Sequence, residues 1–229
     1  MLYTYQYPHA AISTDCCVFG YDGSELKVLL IQRREDPFKG QWAFPGGFLR
    51  MDETVDECAM RELASETHLQ PMYLEQFHVF SAVNRDPRER VVTIAFLAFV
   101  PISDVKGGDD AAKAKWFSVD QMPHLAFDHQ LIFQTAREAL KEKVKHEALG
   151  YFMLDKQFTS QQLIQLYETI LGDTVDSRTI LRKMLSSNLV EEAPEAPMVK
   201  KGGTHPKLYS FAANSYAKLR EKSLKHLDQ

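Results

Sequence analysis

Two glutamates, Glu62 and Glu66, lie four residues apart in a stretch whose apolar residues recur at the spacing of a helix. Residues three and four apart share a helix face, so both carboxylates are expected on the same side. Mg²⁺ is often held by one or two carboxylates together with substrate phosphates and water. Glu62 and Glu66 are therefore candidate ligands of a magnesium ion bound with a phosphorylated ligand. An amphipathic surface helix with ordinary solvated charges is the alternative.

The residues before this helix could bind the phosphates. Gly46 and Gly47 let the backbone approach a ligand closely and could direct their amides at a phosphate. Glu53 and Arg61 are eight residues apart and could brace the loop against the helix. This loop and helix are therefore predicted to hold a diphosphate and a divalent cation.

The run from Gly46 to Leu69, GGFLRMDETVDECAMRELASETHL, resembles the Nudix box. That motif is a glycine, five residues, Glu, seven residues, Arg-Glu, an apolar residue, any residue, Glu-Glu, any residue, a glycine and an apolar residue. The resemblance implies a Nudix fold, in which the paired glutamates of the motif hold the catalytic metals. The matching positions are Gly47, Glu53, Arg61, Glu62, Leu63, Glu66 and Leu69.

The run departs from the Nudix box at two positions. Ser65 stands where the motif has the first of its paired glutamates, and its neutral hydroxyl is a weaker metal ligand than a carboxylate. His68 stands where the motif has a glycine, which commonly takes a positive φ at the end of a helix. We therefore expect a pocket that binds its ligand without hydrolysing it. No cofactor is required on this interpretation, although Mg²⁺ could accompany a bound nucleotide.

Residues before and after the motif could complete a pocket for a nucleotide. Arg33 and Arg34 end a predicted strand, where either guanidinium could pair with a diphosphate. Four aromatic residues could stack on a base, although packing in the core is the alternative for each: Phe38, Trp42, Phe44 and Phe80. Nudix proteins of this type often bind ADP-ribose. The segment Ala126-Phe127-Asp128-His129 resembles one near the pocket of related regulators, so His129 is a candidate contact, or else an ordinary residue at a helix start.

These residues need a scaffold, and the pattern of elements in residues 1–148 predicts one. Strands are predicted at 11–21, 26–32, 77–83, 91–100 and 115–117, and helices at 53–68 and 128–146, with a loop over 33–47. The order of strand, helix, strands and helix is typical of a mixed α/β sandwich. With the Nudix resemblance, we predict an α/β/α sandwich that forms an effector-binding domain.

Residues 149–229 differ in kind and predict a winged helix-turn-helix domain. Helices are expected at 151–154, 161–171 and 178–187, followed by strands at 189–191 and 207–211 around a Lys-rich, Gly-rich loop. A winged helix places its third helix in the major groove of DNA and its wing against the backbone or minor groove. Candidate DNA contacts are Ser177, Arg178, Thr179, Arg182 and Lys183 in the helix, and Lys200, Lys201, Thr204, His205 and Lys207 in the wing. Protein contacts or dimerisation are the alternative use.

A degenerate Nudix domain followed by a winged helix resembles the Nudix-related transcriptional regulators of bacterial NAD metabolism. The resemblance spans almost the whole chain, and the run LIQLYETILG at 163–172 adds to it. It implies a dimeric repressor that binds palindromic operators of genes for NAD synthesis or salvage and releases them when ADP-ribose, or a related nucleotide, is bound. Related branches use other effectors, including sugars. An active ADP-ribose pyrophosphatase and a protein-interaction scaffold are the alternative functions.

Composition limits the compartment and the class of protein. The chain has 229 residues, 45% hydrophobic content and a net charge of −4, with a small basic excess confined to residues 149–229. No run of about 20 apolar residues suggests a membrane span, and the start of the chain lacks a signal-peptide pattern. Three cysteines, two of them adjacent, fit neither a disulfide framework nor a metal site. We expect a cytoplasmic protein without a membrane partner.

Overall fold

The first part of the chain builds a seven-stranded mixed sheet between two helices, as seen in a computed structural model. The structure describes residues 5–105, 107, 111–193 and 207–214. Five strands lie in the order β3-β2-β1-β6-β5, while β4 pairs with β1 and β7 pairs with β2. The strands are β1 Ala11–Tyr21, β2 Leu26–Arg33, β3 Trp42–Ala43, β4 Gly46–Phe48, β5 Tyr73–Phe80, β6 Val91–Phe99 and β7 Ala111–Ser118, and the helices are α1 Val55–Thr67 and α2 His129–Val144.

Alternation along the buried strands gives the sheet two apolar faces. In β1, Cys16 and Val18 face a cluster that contains Ala59 and Leu63 of α1. Their neighbours in the chain pack with the opposite cluster, to which α2 contributes Ile132, Ala136 and Leu140, and Phe19 is one of them. A strand that is covered on both faces is apolar on both, as β1 is from Cys16 to Phe19. This arrangement confirms the predicted α/β/α sandwich.

Local signals fix the ends of α1. Thr54 is the N-cap and forms a capping box with Glu57, in which each side chain accepts from the other residue's backbone amide. At the other end His68 takes the left-handed conformation, with φ 59°, and its amide donates to the Ala64 carbonyl. The helix therefore ends at the position where the Nudix box has glycine, even though histidine occupies it.

Several predicted boundaries were wrong. The strand expected at 77–83 is instead Tyr73–Phe80. Its first residue, Tyr73, pairs with Phe99 at the end of β6, and residues 81–83 belong to the loop between β5 and β6. The expected loop at 33–47 contains the short strands β3 and β4, which pair with β2 and β1. Sheet pairing with distant residues creates these strands, and a local pattern does not contain that information.

The second part of the chain has the architecture of a winged helix. A 3-10 helix at Leu149–Phe152 replaces the helix expected at 151–154. Thr159 caps α3 with a capping box to Gln162, and Asp176 caps α4. The three strands pair in the order β8-β10-β9. The elements are β8 Phe158–Thr159, α3 Ser160–Leu171, α4 Ser177–Ser186, β9 Val190–Glu192 and β10 Leu208–Phe211.

The two parts share one continuous apolar core. The ring of Phe152, in the 3-10 helix, stacks on Phe99 of β6 at a centroid distance of 6.0 Å and an angle of 5°. It also contacts Tyr73 of β5 at 5.3 Å. The Tyr167 hydroxyl of α3 donates to the Val144 carbonyl at the end of α2 over 3.0 Å. The boundary between 148 and 149 stays a prediction, but no gap in packing separates the two parts.

In the parts of the chain that the structure describes, each helix is too short or too polar to cross a membrane.

Candidate functional site

A cavity of about 60 Å³ opens where the ends of several elements of the sandwich meet. Strands β1, β2 and β4, the start of α2 and the loop between β5 and β6 all contribute to its wall. Its lining residues are Ser13, Thr14, Asp15, Ile31, Arg33, Ala43, Phe44, Gly46, Gly47, Phe48, Arg85, Asp86, Arg88, Phe127 and His129. A larger cavity of about 340 Å³ lies between α2 and the α3–α4 connection, but mostly charged surface residues line it and none of them belongs to the Nudix-like segment. The smaller cavity is the candidate site.

A buried arginine between two carboxylates forms one wall of the cavity. Arg85, on the loop between β5 and β6, donates to both oxygens of Asp128 over 3.0 and 2.7 Å. Its contact with Asp15 of β1 is longer, at 3.4 Å. Burial of an ion pair costs desolvation, which close geometry and further hydrogen bonds offset. Arg85 and Asp128 therefore join the β5–β6 loop to the start of α2, while Asp15 keeps part of its hydrogen-bonding capacity.

His129 contributes a fixed, neutral imidazole beside Asp15. Its Nδ1 accepts from the Phe44 backbone amide over 3.0 Å, so the ring proton belongs on Nε2, which lies 3.4 Å from Asp15 Oδ1. Burial lowers the pKa of His129, although Asp15 and Asp128 oppose that effect. The Phe44 ring stacks on the imidazole at 5.4 Å. The cavity therefore contains a carboxylate acceptor with a neutral N–H donor next to it.

Two further arginines and two phenylalanines form the mouth of the cavity. The guanidinium of Arg33 lies 4.8 Å from the centre of the Phe127 ring and donates to the carbonyls of Pro37 and Glu35. Arg88 lies over Phe48 at 5.1 Å and over Phe127 at 5.6 Å, and it pairs with Asp86 at 2.7 Å. Burial and the charge of Arg88 lower the pKa of Arg33. No carboxylate of the described chain lies within 4.0 Å of the Arg33 guanidinium, so this charge is available to an anion.

The structure brings together some of the residues expected to bind an effector. Those that line the cavity are Arg33, Phe44, Gly46, Gly47 and His129. The expectation that the Gly46 amide is directed at a phosphate was wrong, because this amide donates to Glu66 Oε2 over 2.9 Å. Gly46 itself is required, because a Cβ atom there would collide with the Thr14 backbone carbonyl, whereas one at Gly47 would meet the Glu62 carboxylate.

Four other expected contacts lie outside the cavity. Arg34 is exposed on the loop after β2, and Phe38 packs edge-on against Phe127 at 4.7 Å. Trp42 packs against Phe117 at 4.8 Å, and Phe80 packs against His78 and Phe77. For Phe38, Trp42 and Phe80 apolar packing explains the position, so the core alternative holds. Arg34 differs from Arg33 because β2 and its pairing with β7 end at Arg33, so Arg34 follows the strand and lies on the exposed loop.

Several lining residues were missed by the sequence reasoning. Arg85, Asp86 and Arg88 belong to one charged run, NRDPRER at 84–90, between two predicted strands. Polar loops between strands often carry functional residues, so this run was a usable signal. Asp15 had no such signal, because it lies inside a predicted strand between Thr14 and Cys16, and the pairing of β1 with β4 brings it to the cavity.

The charged residues of the Nudix-like segment bind one another. Arg61 donates to Glu53 over 2.6 and 2.8 Å and to Glu62 over 2.5 Å, as the predicted brace requires. The hydrogen bonds from Arg61 hold the pKa of Glu53 at about 2. Ser65 donates to the Glu62 backbone carbonyl over 3.1 Å. The hydroxyl therefore binds its own helix and adds nothing to a cluster of ligands.

These positions do not fit the metal cluster that a Nudix enzyme implies. Glu62 is bound by Arg61, and Glu66 accepts from Gly46. Within residues 5–105, 107, 111–193 and 207–214, no group of three or more His, Cys, Asp or Glu side chains is arranged to hold a metal ion. Glu62 and Glu66 are held in place by protein groups, and Ser65 supplies a neutral hydroxyl where the Nudix box has a further carboxylate.

The second candidate site is the exposed face of α4. Arg178, Arg182 and Lys183 are exposed along this helix, and Asp176 caps its start. The Thr179 hydroxyl donates to Asp176 over 2.6 Å, so it is engaged in the cap. Ser177 is the first residue of α4. Lys207 pairs with Glu192 at 2.9 Å across the two strands of the wing. Lys200, Lys201, Thr204 and His205 lie outside the described residues.

Comparison with known families matches both parts of the chain. The NUDIX domain family matches residues 10–136, and the NrtR DNA-binding winged helix domain family matches residues 150–211. A relative from Acinetobacter baylyi, an ADPR responsive transcriptional repressor NtrR, is 33% identical over 216 residues, which are 92% of this chain and 85% of the relative. An ADP-ribose pyrophosphatase from Methanocaldococcus jannaschii is 41% identical over 128 residues, 56% of this chain and 73% of the relative.

Solved structures of NrtR from Shewanella oneidensis resemble the chain over nearly its full length. One is 30% identical with a TM-score of 0.72 and covers 90% of this chain and 96% of its own. A complex with a 27mer DNA has the same TM-score at 28% identity, with 90% and 95% coverage. The NUDIX domain of that protein in complex with ADP ribose is 35% identical with a TM-score of 0.55, and covers 58% and 90%.

Proposed function

Because the chain belongs to the family of regulators that join a NUDIX domain to an NrtR winged helix, we propose that it is a DNA-binding transcriptional repressor. Its effector is ADP-ribose or a related nucleotide diphosphate, which releases the protein from its operator. The regulated genes are those of NAD biosynthesis or salvage, and the protein acts in the cytoplasm as a homodimer on a palindromic operator.

One observation carries the effector part of this proposal. Arg33 places a half-buried positive charge in the cavity, and its described partners are two backbone carbonyls and an aromatic ring. A half-buried positive charge is stabilised by a bound anion, and a guanidinium can form two parallel hydrogen bonds with the oxygens of a diphosphate. The Shewanella oneidensis relative has been solved with ADP ribose in the corresponding domain, which supports the same ligand class here.

Helix α4 and the relatives support the proposal that the protein binds DNA. Exposed cations on this helix provide contacts to phosphates and base edges. The relative that was solved with DNA has the same two-part architecture. Two recognition helices in a dimer would bind half-sites about 34 Å apart, or a multiple of that distance.

We propose that the effector acts by shifting a population of conformations. Helix α2 begins with Asp128 and His129 at the cavity and ends where Tyr167 of α3 binds its last carbonyl. A ligand that displaces the groups around Asp128 would move this helix and the winged helix packed against it. The ligand would then favour an arrangement that no longer matches the half-sites. Effector and DNA must weaken each other's binding by the same factor.

We further propose that the protein is a sensor without hydrolase activity and requires no metal. A regulator that cleaved its effector would remove its own signal. Glu62 and Glu66 are already engaged by protein groups, and without a carboxylate at Ser65 they are too few for the metal cluster of a Nudix enzyme. The alternative is an ADP-ribose pyrophosphatase, and the similarity to the Methanocaldococcus jannaschii enzyme favours it. In that case Glu62 and Glu66 would hold Mg²⁺ and Ser65 would be tolerated.

The proposal is tested by measuring DNA binding with and without effector. A duplex selected by the protein from a randomised pool would be labelled, and its affinity measured by fluorescence polarisation at fixed salt. ADP-ribose should weaken binding about tenfold or more. An unchanged affinity at saturating ADP-ribose would remove the effector mechanism and leave DNA binding intact.

The enzymatic alternative needs a separate assay. The unaltered protein and the Ser65→Glu variant would be incubated with ADP-ribose and Mg²⁺, and AMP would be quantified by chromatography. We expect no AMP above background from the unaltered protein. Rapid AMP release by the unaltered sequence would replace the sensor proposal with the pyrophosphatase.

A further inference from the structure

The cavity has a positive part and a negative part, and the two differ in what they can bind. Arg33 represents the positive part, because its charge lacks a carboxylate partner in the described chain. The carboxylate of Asp15 forms the negative part. Asp15 is only 7% exposed, yet it lines the cavity. A ligand that fills the site must satisfy an anion-binding group and a buried hydrogen-bond acceptor at once.

Asp15 has hydrogen-bonding capacity that its protein partners do not use fully. Arg85 Nη2 and His129 Nε2 are each 3.4 Å away from it, at the long limit of a hydrogen bond. Arg85 makes its closer bonds with Asp128, at 2.7 and 3.0 Å. A carboxylate has room for about four hydrogen bonds. The structure therefore leaves an acceptor at the cavity surface that donors on a ligand could occupy.

Hydroxyl groups match this acceptor, and phosphate groups do not. A sugar hydroxyl can donate to a carboxylate and also accept from the neighbouring Nε2–H of His129. A terminal phosphate carries no hydrogen for the carboxylate at neutral pH and brings a like charge next to it. Repulsion of this kind is a means of excluding the wrong partner.

We propose that Asp15 is a specificity-determining residue that accepts hydrogen bonds from the hydroxyls of a sugar beyond the diphosphate and excludes a terminal phosphate. The preferred ligand class is then a nucleoside diphosphate whose second phosphate is esterified to a polyhydroxyl group. This proposal rests on the function proposed above and extends it to the choice among nucleotides. ADP and ATP, which end in a charged phosphate, are poor ligands.

The test compares ligands on the full-length protein by isothermal titration calorimetry. The probes are ADP-ribose, ADP, ATP and an ADP-ribose analogue that lacks the hydroxyls of its terminal ribose. The unaltered protein should bind ADP-ribose about 10-fold to 100-fold more tightly than the other three, since a hydrogen bond to a charged group contributes that much to affinity.

The variant Asp15→Asn keeps the shape of the side chain and removes its charge. Its amide can donate to a phosphate, and Arg85 keeps its pair with Asp128. ADP-ribose should bind more weakly to this variant and ADP more tightly, so that the preference falls to within about threefold of unity. Asp120→Asn is the matched control, because Asp120 is exposed on the surface and pairs with Arg137. The control should keep the preference of the unaltered protein.

The possible outcomes separate this inference from the proposed function. If the unaltered protein binds ADP-ribose no better than ADP, or Asp15→Asn keeps the full preference, Asp15 does not select the ligand, and the effector proposal stands. If the unaltered protein binds none of the four probes, both proposals fail. If Asp15→Asn does not fold, the analogue without terminal hydroxyls decides, because equal binding of it and ADP-ribose overturns the inference.

Discussion

At the scale of single residues, the neighbours Arg33 and Arg34 show what burial decides. Arg33 is the last residue of β2 and lines the cavity, whereas Arg34 follows the strand and is exposed outside the cavity. We expect Arg33→Gln to weaken ADP-ribose binding about 10-fold to 100-fold, because a charge-assisted pair with a phosphate is lost. Arg34→Gln is the matched control and should change affinity less than about threefold. Calorimetry on both variants measures the difference. An equal loss of affinity for ADP-ribose in the two variants would show that Arg33 does not bind the diphosphate.

His129 gives the stability of the protein a pH dependence. Burial lowers the pKa of this histidine below its usual value of 6.5. Below pH 6.5 this histidine therefore binds a proton in the unfolded chain but stays neutral in the folded chain. The contribution of His129 to the free energy of unfolding is complete above pH 6.5 and is lost as the pH falls toward the pKa of the folded state. The expected slope reaches about 1.4 kcal/mol per pH unit.

The measurement for His129 is urea unfolding at several pH values between 7.5 and about 5. The variant His129→Asn places an amide oxygen near the position of Nδ1, where it can still accept from the Phe44 amide. Its stability should vary less with pH over this range. The same slope in both proteins would mean that another group causes the dependence.

At the scale of elements, helix α2 is held at both ends. Asp128 at its start pairs with Arg85, and Lys143 in its last turn pairs with Glu75 of β5 at 2.5 Å. Tyr73 adds its hydroxyl to the Glu75 carboxylate. His129 at the start of α2 lines the cavity, and Val144 at its end accepts from Tyr167 of the winged helix, so α2 connects the two regions.

We expect Lys143→Met to lower the free energy of unfolding by about 2 kcal/mol, because Glu75 is left mostly buried without its cation. The control is Lys141→Met on the same helix, where the partner Glu138 is 74% exposed. That pair is solvated, so its loss should cost less than about 0.5 kcal/mol. Urea denaturation of the two variants checks the contrast. Equal costs would contradict the argument that the Glu75 pair holds the end of α2.

Helix α4 is the element whose charges should respond to salt. Each phosphate contact by a cation releases counterions, so affinity for DNA falls steeply with salt concentration. Arg182→Ala should weaken binding of the selected duplex and reduce the slope of log affinity against log salt by about one. Lys39→Ala, an exposed cation of the NUDIX part, is the control and should leave the slope unchanged. Polarisation at several salt concentrations gives both slopes. No change for Arg182→Ala would exclude a phosphate contact by that residue.

At the scale of the whole molecule, the continuous core predicts one unfolding transition. Phe152 packs between the winged helix and the residues Phe99 and Tyr73 of the sheet. Elements that share a core lose their packing together. Both tryptophans, Trp42 and Trp116, lie in the NUDIX part. Their fluorescence in urea should therefore have the same midpoint as hydrogen exchange in α3. Two separate midpoints in the unaltered protein would show that the parts unfold independently.

The sequence by itself determined the two architectures and the positions of the charged residues along the chain. Periodicity is local, so α1, α3 and α4 could be predicted closely, and the structure shows Thr159 and Asp176 as the caps of the last two. The Nudix-like spacing and the loss at Ser65 are also properties of the chain order alone. The expected architectures are confirmed by the sheet and by both family matches. The DNA contacts in the wing at 200–205 stay predictions.

The tertiary structure decided which of the candidate side chains meet. Strand pairing brings Asp15 of β1 opposite Gly46, and the β5–β6 loop brings Arg85 against Asp128, 43 residues away. Aromatic residues have the same local signature in a pocket and in a core, so Phe44 could not be distinguished from Trp42 before packing was known. Burial then lowered the pKa of His129, and the packing around Arg33 gave its guanidinium two backbone carbonyls and the Phe127 ring as partners. These are effects of long-range contacts and of desolvation, and neither is encoded in the local pattern of residues.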